Sequence, residues 1–230
     1  VSAVWGGTDD NWPRVFLSLP VEHQPGTWFV YNTAATYMLS AIITQLTGEP
    51  LIDYLRPLLF EPLGIESPTW DADPRGRSLG GSGLHITTEA IARFGQLYLQ
   101  KGEWAGQRIL TEAWVDDATT AHSDNSNTQS NPDWMVGYGY QFWRCRHGAY
   151  RGDGAFGQFC VVFPQQDAVL AMTGCSRMRR LRRMCWNAST SHPPAPRCPC
   201  RQVGVSRELR SAPRGPVRSY TSRFMRKLRE

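Results

Sequence analysis

The sequence predicts an α+β fold, because it divides into helical patterns first and strand patterns afterwards. Apolar residues recur with helical spacing at 33–47, 51–60 and 89–102, and another helix is expected from Thr111. From about residue 136 the pattern changes to β-branched and aromatic runs separated by turns. Helices followed by consecutive strands are typical of α+β domains with an antiparallel sheet. No run of eighteen apolar residues occurs, so no membrane span is expected.

Charge is distributed unevenly along the 230 residues. Residues 1–174 carry a net charge of −8, whereas residues 175–230 carry +13, and together they give the +5 of the whole chain. The basic balance therefore describes the tail and not the body. The tail is rich in Arg, Pro, Ser and Cys and shows no sustained period. It is either a basic arm for nucleic acid or membranes, or out-of-frame translation of a GC-rich gene. The abrupt change after Gly174 favours the second interpretation, and we expect no specific nucleic-acid partner.

The first helix opens directly after an aromatic run. Pro25-Gly26 forms a turn, the run ends at Tyr31-Asn32-Thr33, and apolar positions then follow at helical spacing from Ala34 to Leu46. Gly48 supplies the stop, since glycine readily takes the left-handed conformation that closes a helix. A phenol and an amide are therefore expected at the mouth of a buried helix.

The next two helices are separated by a polar loop. Residues 51–60 form a short helix that turns at the sequence EPLGI, and residues 71–83 form a loop ending in Gly80-Gly81-Ser82-Gly83. Thr87 or Thr88 is expected to cap the helix of residues 89–102, with Glu89 at its positive end. Residues 121–133 are polar and rich in turn formers, which predicts a surface loop.

Three strands are expected after this loop, at 136–144, 158–163 and 168–173. Pro164-Gln-Gln-Asp167 makes the hairpin turn between the last two. Both of those strands are apolar at almost every position, which suits a sheet covered on both faces. Cys145 and Cys160 lie in this apolar region, and buried free thiols are favoured over a disulfide.

The motifs together resemble the penicillin-recognising serine hydrolases: class C β-lactamases, D-alanyl-D-alanine carboxypeptidases, related esterases and 6-aminohexanoate-oligomer hydrolases. The segment from Pro25 to Gly48 resembles their Tyr-containing second motif. The PLGI turn and the block SGLHITTEAIARFGQLYLQKG resemble two further family segments. The resemblance covers about residues 10–174 and implies a β-lactamase/transpeptidase-like fold. It also implies hydrolysis of an amide or ester through an acyl-enzyme.

One part of the family's centre has no counterpart in this sequence. The family carries Ser-x-x-Lys upstream of the Tyr motif. The two lysines of this sequence are Lys101 and Lys227, and the residues three positions before them are Tyr98 and Phe224 and not serines. The chain starts thirty residues before Tyr31 without an initiator Met. We therefore expect a truncated serine hydrolase domain at residues 1–174, incomplete at its N-terminus and inactive as given. The alternative is a non-catalytic pseudoenzyme or binding module of the same fold.

The resemblance assigns Tyr31 the role of general base. A Tyr with its usual pKa near 10 needs, for this role, a neighbouring cation that favours the phenolate or a relay through a lysine amine. Without the resemblance, Tyr31 would be interpreted as a buried strand end. Asn32 and Thr33 are candidates for binding the substrate amide, although the family has its Asn at the position of Thr33. A helix cap is the alternative for both residues.

The segment HGAYRGDGAFGQ at 147–158 resembles the family's third motif on a strand beside the active site. If Gly154 matches the motif's last Gly, the backbone N–H of Ala155 donates to the oxyanion. Gly152, Asp153 and Gly154 would then line the substrate, with Gly152 at the family's Lys or His position. Arg151 or His147 could supply a charge from another place, and an ordinary bulged hairpin is the alternative.

Other site classes are not supported. The integrin-type tripeptide at 151–153 is discounted because it lies in a strand context. His23, His85 and His122 have no metal-ligand spacing, and Cys198-Pro-Cys200 has no partner pair for zinc. The expected partner is a small-molecule amide or ester, and no cofactor is implied.

Overall fold

A computed structural model describes Val4 and residues 11–127, 132–155, 157–174 and 202–206, the last of these as backbone. Internal contacts divide the chain into two units, Val1–Ile86 and Thr87–Glu230. Each unit is described by itself below. The prediction of a domain at 1–174 stays a prediction.

The first unit is mainly helical. The helix α2 confirms the predicted range of 33–47, and it ends where Gly48 takes a left-handed φ of 80°. Its buried face is made by Ala34, Tyr37, Ser40 and Ala41. The elements of this unit are α1 (Trp12–Leu17), α2 (Thr33–Thr47), α3 (Leu51–Leu55), a π-helical turn (Arg56–Phe60) and the antiparallel pair β1 (Thr69–Trp70) and β2 (Leu84–His85).

The predicted helix at 51–60 is present in two parts. It is α-helical over Leu51–Leu55 and widens to a π turn over Arg56–Phe60. Pro57 lacks a backbone N–H and cannot continue the α-helical hydrogen-bond pattern. The backbone N–H of Glu61 donates instead to the carbonyl of Arg56, five residues earlier, at 2.9 Å.

The second unit opens with two capped helices that the sequence predicted. Thr87 caps α4 (Thr88–Leu99), where its hydroxyl accepts from the N–H of Ala90 at 3.1 Å. Thr111 caps α5 (Glu112–Thr119) through the N–H of Trp114 at 3.2 Å. Between the helices lies a hairpin of β3 (Glu103–Trp104) and β4 (Gln107–Arg108).

The predicted antiparallel meander is confirmed as a sheet in the order β5-β6-β7-β8-β9. Its first strand is much shorter than the predicted 136–144. Gly137 has a φ of 112°, and Gly139 lies so close to the carbonyls of Ala118 and Thr120 that no Cβ would fit. The strands are β5 (Trp143–Arg144), β6 (Tyr150–Asp153), β7 (Phe159–Phe163), β8 (Ala168–Thr173) and β9 (Gln202–Ser206).

The core of this unit lies between the two helices and one face of the sheet. Tyr98 and Phe94 of α4 pack with Phe142, whose ring centroid is 4.7 Å from that of Tyr98. Val162 and Val169 contribute from β7 and β8, and both are 1% exposed. The outer strand β9 comes from the segment that the sequence assigned to a tail without a period. Residues 175–201 and 207–230 of that tail lie outside the described residues.

Candidate active site

The N-terminus of α2 is built by Asn32, which caps the helix. Its backbone is extended, and its side-chain oxygen accepts from the N–H groups of Ala34 at 3.0 Å and Ala35 at 3.2 Å. Asn32 is therefore a helix cap, which was the alternative interpretation of this residue. Thr33 is the first helical residue and not the cap. The amide oxygen of Asn32 accepts both of these helix bonds, which leaves its NH₂ group to donate to other partners.

Tyr31 precedes this cap and lies at the surface. Its side chain is 52% exposed, and its neighbours Val30 and Trp28 are exposed to a similar degree. Tyr31 belongs to no strand of the described residues, so the alternative of a buried strand end does not describe it. The predicted arrangement of a phenol beside a helix mouth is present in the structure.

A buried hydrogen-bond network anchors α2 one and a half turns after the cap. The Tyr37 hydroxyl donates to Oδ2 of Asp73 at 2.6 Å, and Arg77 Nη1 donates to the same hydroxyl at 3.2 Å. Burial and the neighbouring Asp73 carboxylate raise the pKa of Tyr37 well above its usual range. The phenol therefore stays protonated and acts as a structural donor.

The network fixes the loop at 71–83. The second oxygen of Asp73 accepts from the N–H groups of Arg75 at 2.9 Å and Arg77 at 2.8 Å. Ser40 of α2 donates to the carbonyl of Ser78 at 2.6 Å. The sequence pattern of this segment predicts only a polar loop. Asp73 accepts from the N–H groups two and four residues later, as Asp commonly does in turns, so this Asp is the local sequence signal for the turn.

The end of this loop lies directly on α2. An ideal Cβ at Gly81 would fall 2.7 Å from the carbonyl oxygen of Thr33, and one at Gly80 would fall 2.9 Å from Cβ of Ser40. Both distances are too short for a real side chain, so glycine is required at these positions for a steric reason. The backbone of Gly80 and Gly81 thus forms a wall beside the first turns of the helix.

In the second unit, β6 carries the predicted third motif, and alternate residues point to opposite faces. Gly152 pairs with Cys160, whose thiol donates to the carbonyl of Ile91 on α4 at 3.5 Å. Gly152 therefore lies on the face that carries α4. A Cβ added at Gly152 would meet no atom within 4 Å, so there is open space at this position.

Arg151 lies on the opposite face of β6 and is 1% exposed. Its Nε donates to Asp153 at 2.9 Å, and its Nη1 donates to the carbonyl of Asp133 and to the sulfur of Cys145, both at 3.0 Å. Its guanidinium carbon lies 4.4 Å from the centroid of the Trp134 ring. The guanidinium of Arg151 therefore lies in the interior with its hydrogen-bond partners and supplies no charge at Gly152. The same burial is incompatible with an integrin-type role for residues 151–153.

The turn after β6 is tight. The N–H of Gly154 donates to the carbonyl of Gln158 at 2.9 Å, and a Cβ at Gly154 would overlap the Gln158 side chain. Ala155 follows at the exposed tip of this turn. The structure thus brings Gly152, Asp153, Gly154 and Ala155 together at one strand end. Asn32 and Thr33 are brought together with Tyr31 in the other unit.

The predicted surface loop at 121–133 contains two buried polar residues, which corrects the prediction for those positions. Asn125 accepts from the N–H of Gly137 at 2.8 Å and is fully buried. Asp133 is 5% exposed, and Arg146 donates to it at 2.7 Å. No local sequence pattern identifies Asp133 and Trp134, because their partner, Arg151, lies far along the chain.

Cys145 and Cys160 are free thiols, as the sequence predicted. Burial raises the pKa of Cys160 to about 12, and burial raises the pKa of Cys145 as well. Both sulfurs therefore remain protonated at neutral pH and are poor nucleophiles. Among the described residues, no three His, Cys, Asp or Glu are grouped so that they could hold a metal ion. No described helix has the length and apolar character needed to cross a membrane.

Comparison with known proteins agrees with the fold and the motifs. The sequence model of the Beta-lactamase family matches residues 3–176, and the chain belongs to this family. The chain is therefore a β-lactamase-related member of a hydrolase family.

Among curated relatives, the chain is similar to the 6-aminohexanoate-dimer hydrolase of Paenarthrobacter ureafaciens. The two are 27% identical over 150 residues, which is 62% of this chain and 38% of the relative. Among solved structures, a Bacillus anthracis protein assigned as a 6-aminohexanoate-dimer hydrolase matches with a TM-score of 0.58 and 26% identity. That match covers 69% of this chain and 43% of the other.

A third similar structure is EstCE1, a hydrolase with promiscuous acyltransferase activity. It matches with a TM-score of 0.55 and 18% identity, covering 66% of this chain and 52% of the other, and so supports the fold alone. The chain thus spans about two fifths to one half of the length of these relatives.

Proposed function

We propose that this chain carries part of a serine hydrolase centre that cleaves an amide or ester through an acyl-enzyme. The observation that carries the proposal is the exposed phenol of Tyr31 directly before the capped N-terminus of α2. An exposed position leaves the phenol accessible to a substrate and to a lysine amine. Tyr31 is the general base in this proposal, as the family resemblance assigns it.

The other site residues take supporting roles in the proposal. Ala155 donates its backbone N–H to the oxyanion, which needs no side chain. Gly152 and Gly154 allow the substrate to approach the backbone of β6, and the open space at Gly152 supports this assignment. Because the carboxylate of Asp153 is paired with Arg151, Asp153 contacts the substrate through its backbone. Thr33 offers its hydroxyl, and Asn32 offers its NH₂ group.

The chain as given is expected to form no acyl-enzyme. Its sequence contains no Ser-x-x-Lys, and residues 1–86, which hold Tyr31, contain no lysine at all. A phenol with a pKa near 10 is protonated at neutral pH, so it is a poor general base unless a nearby cation favours the phenolate. The chain therefore lacks both the nucleophile and the group that would activate Tyr31.

A second function is a non-catalytic binding module of the same fold. The observation that favours it is that the sequence lacks a Ser-x-x-Lys pair although the capped helix α2 and the strand β6 are both present. The two proposals differ in what happens when the missing pair is supplied. A serine hydrolase gains covalent chemistry, whereas a binding module does not.

Reaction with a fluorophosphonate probe distinguishes the two. The full chain should remain unlabelled in intact-mass analysis. The full chain joined to an upstream segment that carries Ser-x-x-Lys should be labelled at one serine and should hydrolyse a p-nitrophenyl ester. Labelling of the unmodified chain at a single serine would disprove its inactivity. A joined protein that folds and is not labelled would support the binding module instead.

A further inference from the structure

A cavity of about 450 Å³ opens in the second unit, beside the first residue of β6. This volume lies within the range of small-molecule sites in proteins. Tyr150, which lines the cavity, begins β6, whereas Gly154 follows the other end of the strand. At about 3.3 Å per residue, the two are separated by roughly 13 Å. The cavity is therefore separate from the end of β6 that carries the candidate oxyanion donor.

Arg144 lines this cavity with a guanidinium that has no carboxylate partner among the described residues. The residue is half-buried, and its Nη1 donates to the carbonyl of Thr119 at 2.8 Å, at the end of α5. In the same part of the chain, Arg146 is paired with Asp133 at 2.7 Å. The Nε and Nη2 groups of Arg144 donate to no described residue. A partly buried cation therefore presents unused donors to the cavity.

Tyr150 contributes a second donor to the same cavity. The residue is 4% exposed, and its ring packs edge-on against Phe142 with the centroids 5.6 Å apart. Within the part of the chain that the structure describes, its hydroxyl forms no hydrogen bond. Burial raises the pKa of Tyr150 well above its usual range, and the charges of Arg144 and Asp116, which line the cavity, act on the same phenol. The hydroxyl therefore stays protonated, and a ligand oxygen would give this buried residue its missing acceptor.

The charges of the lining favour a ligand with a single negative charge. Lys101 and Asp116 form an ion pair with each other, and Arg144 adds a second cation, so the two cations and one carboxylate give a net charge of +1. A dianion would bring a second negative charge close to Asp116, which costs electrostatic energy. Ala121 and Pro164 add apolar surface to the lining. The cavity therefore suits an anionic group attached to an apolar body.

We propose that this cavity binds a small organic monocarboxylate. The carboxylate accepts from the guanidinium of Arg144 and from the hydroxyl of Tyr150, and the apolar body of the ligand contacts Ala121 and Pro164. A guanidinium matches the two oxygens of a carboxylate, because adjacent N–H groups can form two parallel hydrogen bonds. The site requires no nucleophile, so it is independent of the hydrolase centre proposed above.

An NMR titration of the full chain with benzoate tests the site. Benzamide has nearly the same shape without the charge, and inorganic phosphate at mildly alkaline pH is a largely dianionic comparator. Benzoate should produce saturable shifts at the backbone N–H groups of Ala121 and Gly148, which line the cavity, and should bind more tightly than either comparator. Tyr150→Phe keeps the packed ring and should weaken benzoate binding about 10-fold or more, the value of one hydrogen bond to a charged group.

Arg144→Met should weaken benzoate binding about 10- to 150-fold, and Arg93→Met is the matched control. Arg93 is paired with Glu89 in the same unit and does not line the cavity, so its replacement should leave the affinity unchanged. Benzamide or phosphate binding as tightly as benzoate would overturn the proposal. Shifts that do not saturate, unchanged affinity in Tyr150→Phe, or equal losses in the two arginine variants would do the same. The comparison of benzoate with benzamide uses the unmodified chain, so it decides the proposal even if a variant fails to fold.

Discussion

The hydroxyl of Tyr37 and the carboxylate of Asp73 form a buried hydrogen bond of 2.6 Å between a helix and a loop that are 36 residues apart. Tyr37 lies six residues after Tyr31, so this bond also fixes the helix that begins at the proposed base. Asp73 in turn holds the loop that carries Gly81 and Ser82. One carboxylate thus holds both α2 and the loop that lies against its first turns.

Replacing Asp73 should destabilise the protein. Asp73→Ala leaves the Tyr37 hydroxyl, the Arg77 guanidinium and two backbone N–H groups without their acceptor. Each buried polar group left unpaired costs about 1–3 kcal/mol, so we expect a loss of at least about 2 kcal/mol in urea unfolding. Asp53→Ala is the control, because the carboxylate of Asp53 forms an exposed pair with Arg56 at 3.4 Å. Its change should stay within about 1 kcal/mol, and an equal loss in both variants would contradict the role of Asp73.

Local sequence patterns predicted α2 well, but not the network that holds it. The period of apolar residues, the cap at Asn32 and the stop at Gly48 are all local signals, and they give the observed bounds of α2. The bond from Tyr37 to Asp73 joins residues far apart in sequence. Nothing in the residues around Asp73 identifies Tyr37 as its partner, since the pairing follows from how the loop folds back over the helix.

The positions of Arg151 and Gly152 also could not be predicted from local sequence patterns. Strand alternation predicts that adjacent residues point to opposite faces, but it does not say which face carries α4. The structure places Gly152 on that face and buries Arg151 on the other. Asp133 lay inside a polar run that predicted a surface loop, but it is buried and accepts hydrogen bonds from the distant Arg151 and Arg146.

Removing the charge of Arg151 should be costly. Arg151→Met keeps an unbranched side chain but leaves the carboxylate of Asp153 largely buried without its partner, at 10% exposure. Breaking a buried pair from one side costs about 3–5 kcal/mol, and we expect a loss in this range in urea unfolding. Arg151→Lys should restore little, because one ammonium cannot reach acceptors on three residues in the geometry of a guanidinium.

Arg108→Met provides the comparison for Arg151. Arg108 is paired with Glu103 at 3.3 Å, and both side chains are about half exposed. Its loss should cost about 1 kcal/mol or less. Arg151→Met with no greater effect than Arg108→Met would contradict the buried position of the guanidinium.

Alkaline pH should weaken the fold through Cys160. Burial raises the pKa of this thiol to about 12 from its usual 9.0, so the folded state holds the proton more tightly than the unfolded chain. The stabilisation is complete below pH 9 and is lost as the pH rises towards 12. The slope from one group is at most about 1.4 kcal/mol per pH unit.

Cys160→Ala should therefore reduce the fall of unfolding free energy between pH 9 and pH 11, measured by urea titration at each pH. Tyr37 and Tyr150 contribute in the same direction, since burial raises the pKa of each, and part of the fall should remain. An unchanged slope in the Cys160→Ala variant would mean that the thiol is accessible to solvent in the folded state.

The central claim is that Tyr31 is the general base of a serine hydrolase centre. Its most direct test is the kcat for a p-nitrophenyl ester in the full chain joined to an upstream segment that carries Ser-x-x-Lys. Tyr31→Phe removes only a hydroxyl from an exposed ring, so the fold should survive, while Tyr54→Phe removes a hydroxyl from a tyrosine outside the proposed site. We predict that Tyr31→Phe lowers kcat by about 10²–10⁴ and that Tyr54→Phe leaves it unchanged. An unchanged kcat in the Tyr31→Phe variant would show that Tyr31 is not the base.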